Sequence, residues 1–299
     1  MKFSFFIMSF KESNARLMAV TLIMLLTACA VMAQDADTKP LRPVASMFTA
    51  DVGHASVLDS YISPITYVGT AVRLGCEAQQ ATGFSPEHWT RQLDLGVNYS
   101  NTHNPAGNHT MHALMIDARW GMMHRWRNVL AQGLQLMAGG STQLSGGALY
   151  NANNSNNVVS ARVHWSLGFM GQAVYNTHIK RLPITIRYQV TVPVAGVFFS
   201  PDYDEAYYEI YLGNHSNLAH FGWWGNRFDM ENLLAADLHL GSTILRIGYR
   251  NRIASSWINN INCRDISHSL VLGIGGEFMS VGHKKRTQPA TNIISSIYQ

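Results

Sequence analysis

The segment Val159 to Phe169, VSARVHWSLGF, contains two side chains whose types and spacing could support hydrolysis. His164 and Ser166 are two residues apart, and a histidine imidazole can act as general base for a serine nucleophile. The odd-numbered residues of the segment are apolar and the even-numbered ones are polar or small. This alternation predicts a β-strand with one apolar face. His164 and Ser166 would share its polar face.

The same period of two recurs along the chain and predicts about ten strands, within bounds of eight to twelve. Gly241 and Ser242 separate two runs of opposite phase, which indicates a tight hairpin or a β-bulge. Turn-rich pieces separate the other runs, and no helix is expected after the N-terminal apolar stretch. The predicted strands lie around residues 68–76, 93–99, 114–122, 134–136, 159–169, 184–194, 208–212, 234–240, 245–249 and 266–278.

Charge is scarce in this chain. Of its 299 residues 47% are hydrophobic and only 13% are charged, against about 25% in soluble domains. Lys180 is the only lysine between Lys39 and Lys284. Most of the surface is therefore expected not to face water. Without residues 1–33 the chain has 19 basic and 17 acidic residues, a formal charge of +2, which is too weak for nucleic-acid binding. We expect no cofactor.

An apolar run from Leu17 to Ala33 follows two basic residues and has the layout of a secretory signal. Cleavage is predicted after Ala33, with Met8 as an alternative start. Lipoprotein processing at Cys29 is the alternative to cleavage after Ala33. The predicted organisation is a signal peptide at 1–33, an N-terminal periplasmic segment at 34–60, a β-barrel at 61–281 and a C-terminal tail at 282–299.

Long alternating strands in an exported, charge-poor chain are typical of an antiparallel up-and-down transmembrane β-barrel. In this fold the apolar residues face the lipid of the outer membrane and the polar residues face the lumen. A soluble lipocalin-like barrel, with the same alternation turned inside out, is the alternative. Aromatic residues fall near the ends of the predicted strands, where interfacial girdles lie: Trp89, Tyr99, Trp120, Trp126, Trp165, Tyr175, Tyr188, Phe198, Tyr208 and Phe278.

Three stretches of the chain resemble an uncharacterised family of exported outer-membrane β-barrel proteins in Gram-negative bacteria, a domain of unknown function. They are YISPITYVGTAVRLG, EIYLGNHSNLAHFGWWGNRFDMENLLAADLHLGSTILRIGYR and SHSLVLGIGGEF, and the resemblance runs from about Thr49 to Val281. The last stretch is similar to the terminal strand that the outer-membrane assembly machinery recognises, which ends in an aromatic residue, here Phe278. The resemblance implies that machinery as a partner. The tail after Gly282 departs from the pattern.

The His-x-Ser spacing of His164 and Ser166 also resembles the catalytic pair of outer-membrane phospholipases and lipid A deacylases. In those enzymes the pair meets lipid at the outer wall, whereas here Trp165 takes the lipid face and the pair points into the lumen. A second similar run contains His215 and Ser216, which are adjacent and would point opposite ways on a strand. We therefore expect no enzymatic activity, with a lipid hydrolase as the alternative.

The polar strand faces predict a lumen that contains charges of both signs. In a barrel of about ten strands such charges are expected to pair and plug the interior, with a narrow ion or solute path as the alternative. The predicted lumen residues are Arg73, Asp94, Asp117, Arg119, Arg162, Arg187, Asp237, His239, Arg246 and Glu277.

A second group of candidate binding residues is expected in one long loop, where recognition residues concentrate on rigid scaffolds. Histidine and tryptophan at a loop base are also common as interfacial anchors, and both interpretations remain open. His215 and His220 lack an assured third ligand, so no metal site is expected. The group consists of His215, His220, Trp223, Trp224, Arg227 and Asp229.

These observations predict a porin-like outer-membrane β-barrel of structural, binding or narrow-channel type. The lipid hydrolase is the first alternative, and a soluble periplasmic lipocalin-like barrel that binds lipid is the second.

Overall fold

The computed structural model describes residues 40–129, 131–154, 157–213, 217–279 and 293–298 of the protein. Among these residues no helix is long and apolar enough to cross a membrane. The elements are β1 (Val44–Asp59), β2 (Ser63–Ala81), β3 (Trp89–His103), β4 (Thr110–Arg127), β5 (Leu134–Tyr150), β6 (Val159–Ile179), β7 (Leu182–Phe199), α1 (Tyr207–Tyr211), β8 (Ala219–Trp223), β9 (Arg227–Leu240), β10 (Thr243–Ile258) and β11 (Ile261–Phe278).

The strands form one closed antiparallel barrel. Each strand pairs with its neighbour along the chain except that β8 and β9 both pair with β7, and β1 pairs with β11 to close the sheet. β8 and β9 share one position, because β8 pairs with the Ala195–Phe199 part of β7 and β9 with the Ile184–Thr191 part. The eleven described strands therefore occupy ten positions, which confirms the predicted all-β up-and-down barrel. Closure pairs the first strand with the last, as a membrane requires of a sheet.

The apolar face of each strand lies on the outside of the barrel. On β6 the outward residues Trp165, Leu167 and Phe169 are 45%, 49% and 65% exposed, whereas His164 and Ser166 are each 6% exposed. The predicted faces of this strand are confirmed. The alternative lipocalin-like arrangement, with apolar residues inside, is wrong. An exterior this apolar is suited to lipid and not to water.

The barrel begins earlier than predicted. β1 starts at Val44, inside the range 34–60 that was expected to be a periplasmic segment, and the barrel was expected to start at residue 61. On β1 several inward residues are apolar, among them Met47 and Val57. The strand therefore lacks the alternation of polar and apolar residues that identifies the other strands.

Residues 208–212 were expected to form a strand, and this prediction is wrong. The structure has the short helix α1 in its place. The Glu209 carboxylate accepts a hydrogen bond from the Ala206 N–H at 2.9 Å, which satisfies a free donor at the helix N-terminus. Tyr208, Ile210 and Leu212 alternate, but a run of three apolar residues is too short to distinguish a strand from a helical turn.

The predicted hairpin at Gly241 and Ser242 is confirmed. β9 ends at Leu240 and β10 begins at Thr243. Gly241 has a φ of 68°, a left-handed conformation that glycine adopts without steric cost.

The two ends of the barrel differ in their connections. At the terminal end, where β1 begins and β11 ends, the strands are joined by residues 82–88, 128–133, 180–181 and 241–242. At the loop end they are joined by residues 60–62, 104–109, 151–158, 200–218 and 259–260. The loop end therefore carries more chain, including α1.

The lipid-facing exterior can be tested with one matched pair of substitutions. Leu167→Arg puts a charge on the wall near the middle of β6 and should destabilise the folded barrel in lipid vesicles by about 2–4 kcal/mol. Leu212→Arg introduces the same charge at a 66% exposed site outside the strands and should leave the stability near that of the wild type. Both can be measured by urea unfolding and by heat-modifiable gel migration. An equal effect of the two variants would contradict a lipid-facing wall.

Candidate functional site

The interior of the barrel contains a network of ion pairs. Eight arginines and eight carboxylates among the described residues approach one another within 4.0 Å. They project inward because they occupy alternate positions of their strands, opposite the lipid face. The arginines are Arg73, Arg119, Arg162, Arg187, Arg227, Arg246, Arg250 and Arg252, and the carboxylates are Asp51, Asp59, Glu77, Asp94, Asp117, Asp229, Glu231 and Asp237.

The middle of the lumen is occupied by a cluster that joins strands from several sides. Arg73 Nη2 lies 2.7 Å from Asp94 Oδ1. Arg119 Nη2 lies 3.6 Å from the same oxygen and 2.9 Å from Glu231 Oε1. Arg250 contacts that Glu231 oxygen at 2.7 Å through Nη1. The shared carboxylates link β2, β3, β4, β9 and β10 through charge-assisted hydrogen bonds.

Two glycines make room for this cluster. A Cβ atom at Gly75 would lie 2.1 Å from Arg73 Nη1, and one at Gly96 would lie 2.4 Å from Arg73 Nη2. Both distances are far below van der Waals contact, so any side chain at these positions would displace the guanidinium. The Arg73 guanidinium therefore rests directly on the backbone of β2 and β3.

A second cluster lies closer to the terminal end. Glu77 on β2 accepts hydrogen bonds from Arg187 Nη1 and from Arg246 Nη1, the latter at 2.9 Å. Arg246 also donates two parallel hydrogen bonds to the Asp237 carboxylate, at 2.7 and 2.8 Å. Bidentate geometry of this kind gives strong and well-oriented pairs. Arg187, Asp237 and Arg246 are at most 3% exposed, so the charges are held away from solvent.

Between the second cluster and the terminal end the lumen contains two groups of uncharged side chains. An inward layer of buried glutamines comprises Gln79, Gln92, Gln135, Gln172 and Gln189. Beside it lie the buried methionines Met47, Met123, Met137 and Met170, which pack against Ile297 and Tyr298 of the C-terminal segment.

A cavity of about 110 Å³ opens towards the loop end. Its lining includes Arg162, His164, Arg227 and Asp265. Arg162 pairs with Asp59 at 2.9 Å. Both charged and apolar side chains line the cavity, which is large enough for a few ordered water molecules.

Two tyrosines outside the strands cover the loop end of this cavity. The Tyr61 hydroxyl donates to the carbonyl oxygen of Glu205 at 2.8 Å, and the Tyr207 hydroxyl accepts from the Ala161 N–H at 2.6 Å. Their rings meet edge to face at a centroid distance of 5.7 Å. Burial raises the pKa of both hydroxyls above their usual value, so both remain protonated at neutral pH.

The predicted lumen residues lie inside the barrel. Arg119, Arg187 and Asp237 are buried members of the two clusters. His239 is half-buried nearer the terminal end, where its Nε2 atom lies 2.9 Å from Thr185 Oγ1. Glu277 lies at the terminal end and accepts a hydrogen bond from Ser295 Oγ.

The second group of predicted binding residues does not form one loop. His220 and Trp223 belong to β8, and Arg227 and Asp229 begin β9. Because side chains alternate along a strand, the members of this group point to different sides of the barrel wall. His220 points inward, with Nε2 3.0 Å from the Ser200 carbonyl oxygen. His215 lies outside the described residues.

The two tryptophans of this group are on the outer surface. Trp223 and Trp224 are 57% and 54% exposed, and Trp224 Nε1 donates to the Pro193 carbonyl oxygen at 2.7 Å. Arg227 instead lies inside, paired with Asp229 at 2.8 Å and stacked 5.4 Å from the centre of the Phe198 ring. The tryptophans therefore do not converge with His220 or Arg227.

The His164 and Ser166 pair does not have the geometry of a nucleophile and its base. Both residues are buried on the lumen face of β6, away from lipid. The Ser166 hydroxyl has no hydrogen-bond partner among the described residues, so it does not bond to the imidazole. In the described part of the chain, no three histidine, cysteine or acidic side chains converge to hold a metal ion.

Several members of the charge network were missed in the sequence. Asp51 and Asp59 lie on β1, which was expected to precede the barrel. Glu77 lies four residues after Arg73 and therefore on the same face of β2. Glu231 and Arg250 likewise share faces with Asp237 and Arg246. Extending each predicted strand by two or four residues, with the same alternation, would have found Glu77, Glu231 and Arg250.

Several solved outer-membrane barrels are similar to the chain. The outer membrane protease OmpT from Escherichia coli aligns over 82% of this chain and 99% of its own, with 6% identity and a TM-score of 0.43. The translocator domain of the autotransporter NalP from Neisseria meningitidis aligns over 89% and 98%, with 11% identity and a TM-score of 0.35. The COG4313 outer membrane channel from Pseudomonas putida F1 aligns over 82% and 97%, with 10% identity and a TM-score of 0.30. Similarity at this level carries no information about the activity of this chain.

No curated protein sequence is significantly similar to the chain. Residues 17–285 match the profile of a family described as a protein of unknown function, DUF3316. The match extends over most of the chain and includes all ten barrel positions. The predicted membership of an uncharacterised family of barrel proteins is confirmed, and the chain belongs to the DUF3316 family.

Proposed function

We propose that the protein is a non-conducting outer-membrane β-barrel, closed by its own paired charges, that serves as a rigid scaffold for its loop end. The observation that carries this proposal is the ion pair between Glu77 and Arg187. Glu77 lies on β2 and Arg187 on β7, five positions apart in a ring of ten. The two strands are diametrically opposite, so the pair bridges the full width of the lumen.

The energetics of burial favour a permanently closed interior. Separating a buried pair to open a path leaves charges without partners in a medium of low dielectric, which is strongly unfavourable. The Arg119–Glu231 pair adds a second bridge, between β4 and β9, at 2.9 Å. A solute would have to break both bridges to cross the barrel.

The orientation in the membrane follows from the connections. Outer-membrane barrels have short turns on the periplasmic side and longer loops outside. The connection of residues 200–218, which carries α1, is at the loop end. We therefore assign the loop end to the cell exterior and the terminal end to the periplasm, with β11 ending at Phe278 as the strand presented to the assembly machinery.

The same proposal makes the protein non-enzymatic. A lipid hydrolase of the His-x-Ser type needs its pair at the lipid wall, and His164 and Ser166 face the lumen. His164 lines the loop-end cavity together with Arg162 and Arg227, whereas Ser166 does not line it. An ester bound in that cavity would therefore not have both side chains beside it.

Conductance gives a direct test of the closed lumen. The purified full-length protein should produce no stable single-channel steps in planar lipid bilayers, because the bridges across the lumen leave no continuous aqueous path. A known porin reconstituted under the same conditions serves as the positive control. Reproducible steps that require the folded protein would overturn the closed-lumen proposal.

The role of the Glu77 carboxylate can be tested by measuring how much it contributes to the stability of the folded barrel. Glu77→Gln leaves Arg187 and Arg246 without full charge compensation and should lower the free energy of unfolding by about 3–5 kcal/mol. Glu87→Gln makes the same chemical change at an exposed site and should have an effect within about 0.5 kcal/mol. Urea titration in detergent micelles measures both. A Glu77→Gln variant as stable as Glu87→Gln would show that the bridge does not hold the barrel.

The absence of hydrolase activity is tested with outer-membrane lipids. Neither the wild type nor Ser166→Ala should release free fatty acid from phospholipid or lipid A, since the pair lies away from the lipid wall. A soluble phospholipase verifies that the assay detects release. Release by the wild type that disappears in Ser166→Ala would refute both the non-enzymatic proposal and the role assigned to this face.

A further inference from the structure

The C-terminal residues 293–298 lie inside the terminal end of the barrel. Ser296 is fully buried, and Ile297 and Tyr298 are 1% and 8% exposed. Ile297 belongs to a cluster of buried apolar residues that includes Met123 and Met170. The segment therefore occupies the mouth of the barrel, beneath the glutamine layer.

A single buried arginine holds the backbone of this segment. Arg125 on β4 donates through Nη1 to the carbonyl oxygens of Ser295 and Ser296, at 2.7 and 3.0 Å. Through Nη2 it donates to the carbonyl oxygens of Pro86 and Glu87, at 2.6 and 3.0 Å. The fixed fork of donors on one guanidinium thus joins the segment to the connection between β2 and β3.

Further polar contacts come from strands around the mouth. The Ile297 carbonyl oxygen accepts from Gln135 Nε2 at 3.4 Å and from Asn176 Nδ2 at 3.3 Å. The Ser296 hydroxyl donates to the Gln79 carbonyl oxygen at 3.1 Å. Most of these bonds go to backbone atoms of the segment, which bends at Ser296 and Ile297, so the wall recognises mainly the path of its backbone.

The last aromatic side chain supplies a specific contact. The Tyr298 hydroxyl donates to Asp237 Oδ2 at 3.0 Å, and its ring meets the His239 ring edge to face at a centroid distance of 4.7 Å. The wall therefore offers a pocket with a carboxylate at its base, which suits a phenol. Backbone hydrogen bonds combined with a pocket for one side chain give peptide recognition both affinity and specificity.

The mouth is not completely filled by the segment. An open vestibule of about 850 Å³ lies between the segment and the wall, with His178, His239 and Glu277 in its lining. This space faces outward from the terminal end. It gives the segment room to leave without separating any strand of the barrel.

We propose that the terminal mouth of the barrel is a peptide-binding site and that the chain's own residues 293–298 are its resident, releasable ligand. The ligand class is a short bent peptide in which small polar residues are followed by an aliphatic residue and a tyrosine, like the resident segment, whose Tyr298 N–H donates to Ser295 Oγ at 3.0 Å. Arg125, Gln135 and Asn176 bind its backbone, and Asp237 binds the phenol. This site is separate from the bridges that close the lumen and goes beyond the proposed scaffold role.

Thiol labelling in the full-length protein tests whether the segment is held and released. Ile297→Cys should react slowly with a water-soluble maleimide, and Ile293→Cys, at a 53% exposed position, should react fast. Arg125→Gln should accelerate labelling of Ile297→Cys by about tenfold or more, because it removes charge-assisted bonds to the segment. The labelling of Ile293→Cys should not change.

Two controls keep this result interpretable. Protein without an introduced cysteine gives the background from its native thiols, and heat-modifiable gel migration verifies that each barrel is folded. If Arg125→Gln does not fold, Tyr298→Phe removes only the bond to Asp237 and should accelerate Ile297→Cys labelling by a smaller factor. Fast labelling of Ile297→Cys in the otherwise unchanged protein, or no acceleration by either folded variant, would overturn the proposal.

A peptide added in trans tests recognition itself. Millimolar peptide of sequence IISSIYQ should accelerate labelling of Ile297→Cys by displacing the resident segment, which is held at a high effective concentration. The peptide IISSIAQ, which lacks the phenol, should have little effect. Acceleration by both peptides or by neither would refute a specific peptide site. These readouts do not depend on whether the lumen conducts, so the closed-lumen proposal can fail independently.

Discussion

The ion pair between Glu77 and Arg187 determines much of what this barrel can do. A closed sheet in lipid must turn its polar side chains inward, and ten strands leave an interior only about as wide as the side chains that fill it. Charges that point into so narrow a space must find partners across it, since an unpaired buried charge is strongly destabilising. The pair therefore spans the distance that ten closed strands set between opposite walls.

The ion-pair network around Glu77 and Arg187 is built on shared carboxylates. Each central carboxylate serves more than one arginine: Glu77 binds Arg187 and Arg246, and Glu231 binds Arg119 and Arg250. Shared partners distribute charge over several strands, so local separation of one contact leaves others in place. Glycines beneath Arg73 show that the backbone is adapted to the cluster too. The middle of the interior is therefore a polar core, the inverse of the apolar core of a soluble domain.

The local part of this arrangement was predictable and the long-range part was not. The alternation on β6 gives both faces correctly, because side-chain direction depends only on the strand period. β1 escaped prediction because Met47 and Val57 face inward and conceal the alternation. The partners of each charge could not be predicted, since the contact of Glu77 with Arg187 depends on closure of the whole sheet. The bound C-terminal segment has no periodicity, and its main contact, Arg125, is remote in the sequence.

Asp237 is where the charged interior meets the C-terminal segment. Its two oxygens already take a bidentate pair from Arg246, and the Tyr298 hydroxyl adds a third bond. Burial raises the pKa of that hydroxyl, so it binds as a neutral donor. When the segment leaves, Asp237 retains its arginine and no charge is left without a partner there. The segment can thus depart at the cost of uncharged contacts and of the carbonyl bonds to Arg125, while the ion pairs that span the lumen stay intact.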